Sequence, residues 1–205
     1  MGKSLFVFGS SVGVVGSAGA AGFVYWRSTL GTNVSLKDRF NREVKGRILL
    51  DVDGTKHDDV WDALVEEYKA DHPNRQDIEG ISKSDIDKTK LKLRCKENSD
   101  LKEESKFKSY VEWCSRNTLQ TQFNAKGSGK TWITSTVESD WDSKKNSYPE
   151  NNNDKLQLPQ TGSTTIAKNQ VTSKNIMDWC FTKVNTPFIK EANEDYKRAE
   201  AMCVA

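Results

Sequence analysis

The sequence predicts a mainly α protein: an N-terminal transmembrane helix followed by two degenerate helical modules. Three observations predict it. The chain opens with an uncharged apolar stretch, Leu5 to Trp26. Beyond it, apolar residues recur at helical spacing. From residue 28 onward the sequence also answers itself at a shift of 80 to 89 residues. The expected division is a membrane segment at 1–27, a first module at 28–117 and a second at 118–205. Within the second, a long polar loop is expected at 147–175. Short strands are expected near 47–52 and 130–137.

The membrane segment reads LFVFGSSVGVVGSAGAAGFVYW. As a helix its 22 residues extend about 33 Å, enough to cross a hydrocarbon core. Lys3 and Arg27 bracket it, and Tyr25 and Trp26 suit the interface. The apolar run continues past the small residues Ser17 to Ala21, where a signal peptidase would cut. This favours an uncleaved anchor over a signal peptide. Gly9 and Gly13 form a GxxxG pair, a surface for helix pairing or a feature of an unpaired Gly/Ala-rich segment. Orientation is contested. Six basic residues, from Arg27 to Arg47, come after the segment, and the positive-inside rule keeps such a body in the cytoplasm. A lone N-terminal apolar segment on a polar chain exports the rest of that chain. The expectation adopted is a single-pass protein with its body outside the cell.

The remainder is polar. Hydrophobic residues make up 35% of the 205, and mean hydropathy is −0.73. Two small cores are therefore expected rather than one large one. The 31 basic and 29 acidic residues are interspersed and leave a net charge of +2. That is an ordinary solvated surface and argues against an electrostatic nucleic-acid binder.

Each module begins with a capped helix. Ser35 precedes Leu36 and Phe40, and Thr118 precedes Leu119 and Phe123, apolar pairs at i, i+4 behind a capping hydroxyl. In the first module Asp58 or Asp59 is expected to cap a helix with Val60, Trp61, Leu64, Val65 and Tyr68 on one face. A third helix carries Cys95, and a fourth carries Phe107, Tyr110, Val111 and Cys114. In the second module Trp141 and Tyr148 repeat the spacing of Trp61 and Tyr68. Lys144 and Lys145 replace the apolar pair there, and Pro149 stops that helix early. Lys130 to Val137 alternates like a short strand. Ser147 to Asn175 is rich in Asn, Ser, Thr and Gln and reads as a mobile loop. Tyr196 and Cys203 repeat the spacing of Phe107 and Cys114.

The cysteines fall one pair per module, Cys95 with Cys114 and Cys180 with Cys203, 19 and 23 residues apart. None lies in a CxxC, which argues against zinc. Two readings stay open: four buried thiols acting as small apolar side chains, or one disulfide stapling the last two helices of each module. For the bridge, the geometry selects those pairs. Facing residues of an antiparallel helix pair are equidistant from the turn. The midpoint of Cys95 and Cys114 falls between Glu104 and Ser105, beside the polar Asn98 to Ser105 stretch. The midpoint of Cys180 and Cys203 falls between Glu191 and Ala192, at the end of the Asn185 to Asn193 connection.

Other motifs weigh less. Leu50-Asp51-Val52-Asp53-Gly54-Thr55 matches the nucleophile motif of haloacid-dehalogenase phosphatases, with Asp51 attacking phosphorus and Asp53 moving the proton. That fold needs a buried parallel sheet, whose strands are near-continuous apolar runs. Between Asp51 and Ala201 no apolar run exceeds three residues. The stretch reads instead as an Asp-Gly turn. The same stretch fails as a calcium loop, because Leu49 and Val60 fall where carboxylates are needed. Gly127 to Thr131 imitates a phosphate loop, but Asn124 stands where its first Gly belongs. Leu158 to Gly162 spells a sortase signal with no hydrophobic tail after it. His57 and His72 lack partners at ligand or triad spacing and read as solvated surface residues. No catalytic residue, cofactor or metal is expected.

The whole pattern resembles the paralogous membrane-anchored protein families of the haemotrophic mycoplasmas. The resemblance rests on Val12 to Gly22, on the Leu49 to Tyr68 block, on Cys95-Lys96 and Trp113-Cys114, and on Trp179-Cys180 with Tyr196 to Cys203. It covers nearly the whole chain. It implies a membrane-anchored, surface-exposed protein of unknown biochemical activity; the reading adopted is that it is not an enzyme. Its partners would be the lipid bilayer, through residues 5–26, and the host-cell surface, in host contact or antigenic diversity. The competing functional expectations are a phosphatase using Asp51 and Asp53, and an anchored scaffold facing the cytoplasm.

Overall fold

A computed structural model of the chain describes residues 33–205 except residue 71 and residues 126–128, 151–154 and 161–163. The expected membrane segment at 1–27 lies outside the described residues. Among the described residues no helix is long and apolar enough to cross a membrane. The architecture is mainly helical, with two small two-stranded antiparallel sheets.

The first hydrophobic core draws on residues from Leu36 to Cys114. Helix α1, Leu36–Glu43, starts where the Ser35 hydroxyl accepts the Asp38 N–H, and it buries Leu36 and Phe40. Gly46 then turns the chain at φ 70°, a conformation that disfavours any side chain. A Cβ there would also strike the Thr121 side chain. Strand β1, Arg47–Leu49, comes next, and then α2, Asp58–Lys69, which buries Val60, Trp61, Leu64, Val65 and Tyr68. Helices α3, Lys88–Ser99, and α4, Glu104–Cys114, form an antiparallel pair across a short turn. Strand β2, Ser115–Asn117, returns along β1 with Arg47 opposite Asn117 and Leu49 opposite Ser115.

The second core draws on Leu119 to Val204. It contains α5, Leu119–Ala125, a 3-10 turn at Glu138–Trp141, and α6, Asp142–Asn146. A hairpin of β3, Pro159–Gln160, and β4, Thr164–Thr165, comes next. Helices α7, Ser173–Lys183, and α8, Glu194–Met202, complete it. Phe123 stacks on Tyr196 with ring centroids 4.7 Å apart.

The two cores make corresponding bonds. The Trp61 indole N–H donates to the Asp51 carbonyl at 2.9 Å, and the Trp141 indole N–H donates to the Ser135 carbonyl at 3.0 Å. The Tyr68 hydroxyl accepts the Ile78 N–H, ten residues on, and the Tyr148 hydroxyl accepts the Leu158 N–H, again ten on. The Leu50 N–H donates to the Cys114 carbonyl and the Ile133 N–H to the Cys203 carbonyl.

Several expectations need correction. The strand expected at 130–137 reduces to one bridge, Trp132 opposite Val204. The chain then leaves the bridge so that the Ser135 carbonyl can meet Trp141. The described residues of the polar 147–175 stretch are not an unanchored loop. Tyr148, Gln157, Leu158, Val171 and Ser173 are buried in it. It packs because Tyr148, Leu158 and Val171 join the second core and the Tyr148 hydroxyl bonds the Leu158 N–H and the Ile166 carbonyl. Neither Asp58 nor Asp59 caps α2; His57 is the N-cap residue, and its side chain makes no capping bond.

Candidate functional site

The residues from Leu50 to His57 fold into a tight turn that consumes its own polar groups. The Asp51 carboxylate accepts the Gly54 N–H at 3.0 Å and the Asp53 N–H at 3.2 Å. These two backbone donors hold the Asp51 carboxyl below the usual carboxylate range. Asp53 pairs outward with Lys96 at 2.6 Å. Lys92 reaches the Gly54 carbonyl at 2.9 Å and pairs with Asp58. The motif aspartates therefore serve a turn that launches α2.

His57 belongs to the same turn, which corrects its expected surface position. It is 8% exposed, and its Nδ1 accepts the Asp51 N–H at 2.8 Å. Burial first, then the Lys56 charge, lowers its pKa, so the neutral ring that accepts this bond is favoured. His72 is half-buried rather than solvated. Its ring lies 6.1 Å from that of Trp113, and its Nε2 is buried without a partner. Both displacements come from packing near the ends of α2, which periodicity alone does not display.

All four cysteines are joined, Cys95 to Cys114 and Cys180 to Cys203. The Cα separations are 5.4 and 5.5 Å, inside the disulfide range. The bridges tie α3 to α4 and α7 to the residue that ends α8. Each is fully enclosed, with no cysteine more than 2% exposed.

Sequence reading missed a set of arginines turned inward onto protein partners. Arg47, on β1, donates to the side chains of Ser115 and Asn117 and to the carbonyls of Val111 and Ser115. Burial, with the nearby Arg116 and Arg75 charges, pushes its guanidinium down to about 9. Arg116, on β2 and 4% exposed, pairs with Glu67 of α2. It also donates to the carbonyls of Phe188 and Ile189, which belong to the C-terminal half. Backbone bonds run beside it, from the Phe188 N–H to the Asn117 carbonyl and from the Leu119 N–H to the Thr186 carbonyl. Arg116 therefore clamps the two halves together. A cation two residues past Cys114, inside a three-residue polar strand, was the available signal. Charged residues are almost never fully buried unless paired, so the signal pointed outward.

Among the described residues no group of three or more His, Cys, Asp or Glu side chains is placed to hold a metal ion. In comparisons with known proteins, no family model, curated protein or solved structure matches this chain.

Proposed function

We propose that this chain is a non-enzymatic display protein, held in the cell membrane by residues 5–26, with two copies of one disulfide-closed helical module outside. The observation that carries the reading is the pairing of every cysteine in a buried bridge, at the same place in each core. Structural disulfides persist in oxidising compartments and are rare where glutathione keeps thiols reduced. Small polar modules with thin cores are the kind of domain that uses them. The paired Trp, Tyr and cysteine bonds of the two cores support one module written twice. The resemblance to haemotrophic mycoplasma surface families supports a role in host contact or antigenic diversity. Use of the Asp51 carboxylate by two backbone donors supports a turn over a phosphoryl nucleophile.

Protease added to intact cells making the full chain tests the reading. The body is expected to be degraded without lysis. A body protected on intact cells and cleaved only after lysis would mean an anchored cytoplasmic scaffold. Phosphoester hydrolysis that requires Mg²⁺ and disappears in Asp51→Asn would mean an enzyme.

A further inference from the structure

Positive charge is concentrated where the body follows the membrane segment. From Arg27 to Arg47 the chain carries six basic and two acidic residues, a net of +4. From Ile48 to Ala205 it carries 24 basic and 27 acidic residues, a net of −3. Two of the six cations turn inward. Arg47 is spent on β2. Arg39 lies over the Phe107 ring at 3.9 Å and pairs with Glu43 at 2.9 Å and with Glu104.

Three others turn outward on one element. Helix α1 buries Leu36 and Phe40 in the first core, so its opposite face points away from the body. Lys37 and Arg42 are exposed on α1, and Lys45 is exposed just past its C-cap, Val44. Lys37 and Lys45 have no ion pair among the described residues. Arg42 meets Glu43 at 2.7 Å, but that carboxylate is 12% exposed and is shared with Arg39. The acid on this face is Asp38, whose carboxylate accepts the Ser35 hydroxyl at 2.8 Å. The face therefore keeps a net positive charge. The lysines of α3 are the contrast. Lys88, Lys90, Lys92 and Lys96 each pair with an aspartate of the same half.

The place of α1 in the chain says what lies opposite. Nine residues, Arg27 to Ser35, separate it from Trp26. They reach at most about 32 Å when extended. The bilayer is thus held beside the face at about millimolar effective concentration, where a weak attraction suffices. Anionic headgroups attract each Lys or Arg that comes within a Debye length of the surface.

We propose that the outer face of α1, through Lys37, Arg42 and Lys45, docks on anionic phospholipid headgroups beside the anchor. The contact fixes how the body stands on the membrane. It is electrostatic, because Leu36 and Phe40 of α1 are spent in the core. The inference rests on the membrane reading of residues 5–26 and holds for either side of the bilayer.

The test places the ¹⁵N-labelled full chain in nanodiscs that carry a trace of gadolinium-chelating lipid. One set is phosphatidylcholine, and the other adds phosphatidylglycerol. Backbone signals of Lys37, Asn41, Arg42 and Lys45 are expected to broaden several-fold more in the second set. Those of Asp62 and Glu66, exposed on α2, are expected not to differ between sets. Sodium chloride at about 1 M should remove the difference. Lys37→Gln with Arg42→Gln and Lys45→Gln should remove it too, and the spectrum itself reports that this variant is folded. Lys190→Gln with Lys197→Gln, exposed lysines of the C-terminal half, should leave the difference in place. Equal broadening of α1 in both sets would overturn the proposal, as would a difference that survives the triple substitution or one that α2 shares. A chain that elutes apart from the discs would overturn the anchor reading, and this inference with it.

Discussion

Arg116 and Glu67 meet in a two-pronged ion pair where the two halves of the protein touch. Arg116 Nη1 donates to Glu67 Oε2 at 2.8 Å, and Nη2 donates to Oε1. The fork geometry makes this a strong, oriented pair. Glu67→Ala leaves a buried guanidinium without its counter-charge. The expected loss is about 3 kcal/mol, at the low end for buried pairs because Glu67 keeps some solvent contact. Urea unfolding measures it, and a loss under about 1 kcal/mol would show that the clamp does not hold the halves.

The same glutamate sets an acid limit. Burial pushes the Glu67 carboxyl up, but the Arg116 bonds and the Arg116 and Arg75 charges outweigh burial and hold it below 4.5. The folded value therefore lies under the unfolded one. The contribution is fully present above about pH 4.5 and is lost as pH falls through the folded value. Glu67→Gln should flatten the acid limb of a stability–pH curve. An unchanged limb would assign acid unfolding to other carboxylates.

Glu112 should behave in the opposite sense. Burial raises its carboxyl above 4.5 despite the Gln76 N–H and the charges of Lys108, Arg75 and Arg47. The folded value lies above the unfolded one, so stability falls as pH rises through that interval. Glu112→Gln keeps an acceptor for the Gln76 N–H, which now sits 3.0 Å from the carboxylate. It should raise the thermal midpoint at pH 7 and leave it nearly unchanged at pH 3. A lower midpoint at pH 7 would reverse this assignment.

The two tyrosines should report equally. Tyr68 accepts the Ile78 N–H at 3.1 Å and donates to the Ile81 carbonyl at 3.2 Å. Tyr148 accepts the Leu158 N–H at 2.6 Å and donates to the Ile166 carbonyl at 2.9 Å. Phenylalanine at either place strands a buried N–H, which costs about 1–3 kcal/mol. Protection of Ile78 or Leu158 against hydrogen exchange should drop in the matching variant only. Unchanged protection would mean that water replaces the hydroxyl.

The bridges close loops of 19 and 23 residues, for which chain entropy gives about 3 kcal/mol each. Cys95→Ala with Cys114→Ala, and Cys180→Ala with Cys203→Ala, should each lose about that much. Unreduced native protein should take up no alkylating reagent at any cysteine. Labelling of even one cysteine without reductant would show that its bridge is absent.

Much of the fold was legible because it obeys local rules. The Leu36/Phe40 and Leu119/Phe123 pairs and the Trp61 to Tyr68 face mark helices by period, and Ser35 and Thr118 mark their starts by capping chemistry. The turn at Asp53-Gly54 was legible for the same reason: Asp51 bonds its own neighbours.

By itself, then, the sequence determined the mainly helical class, the helix faces and the spacing that brings each cysteine opposite its partner. These depend on contacts a few residues apart or on distances from a single turn. Only the tertiary structure decided that His57 and Arg116 are buried, and that the Tyr148 hydroxyl bonds the Leu158 N–H and the Ile166 carbonyl. A charged or polar side chain goes inside only when partners distant in sequence satisfy it. For Arg116 those partners are Glu67, 49 residues earlier, and the carbonyls of Phe188 and Ile189, 72 and 73 residues later. No local pattern carries that information.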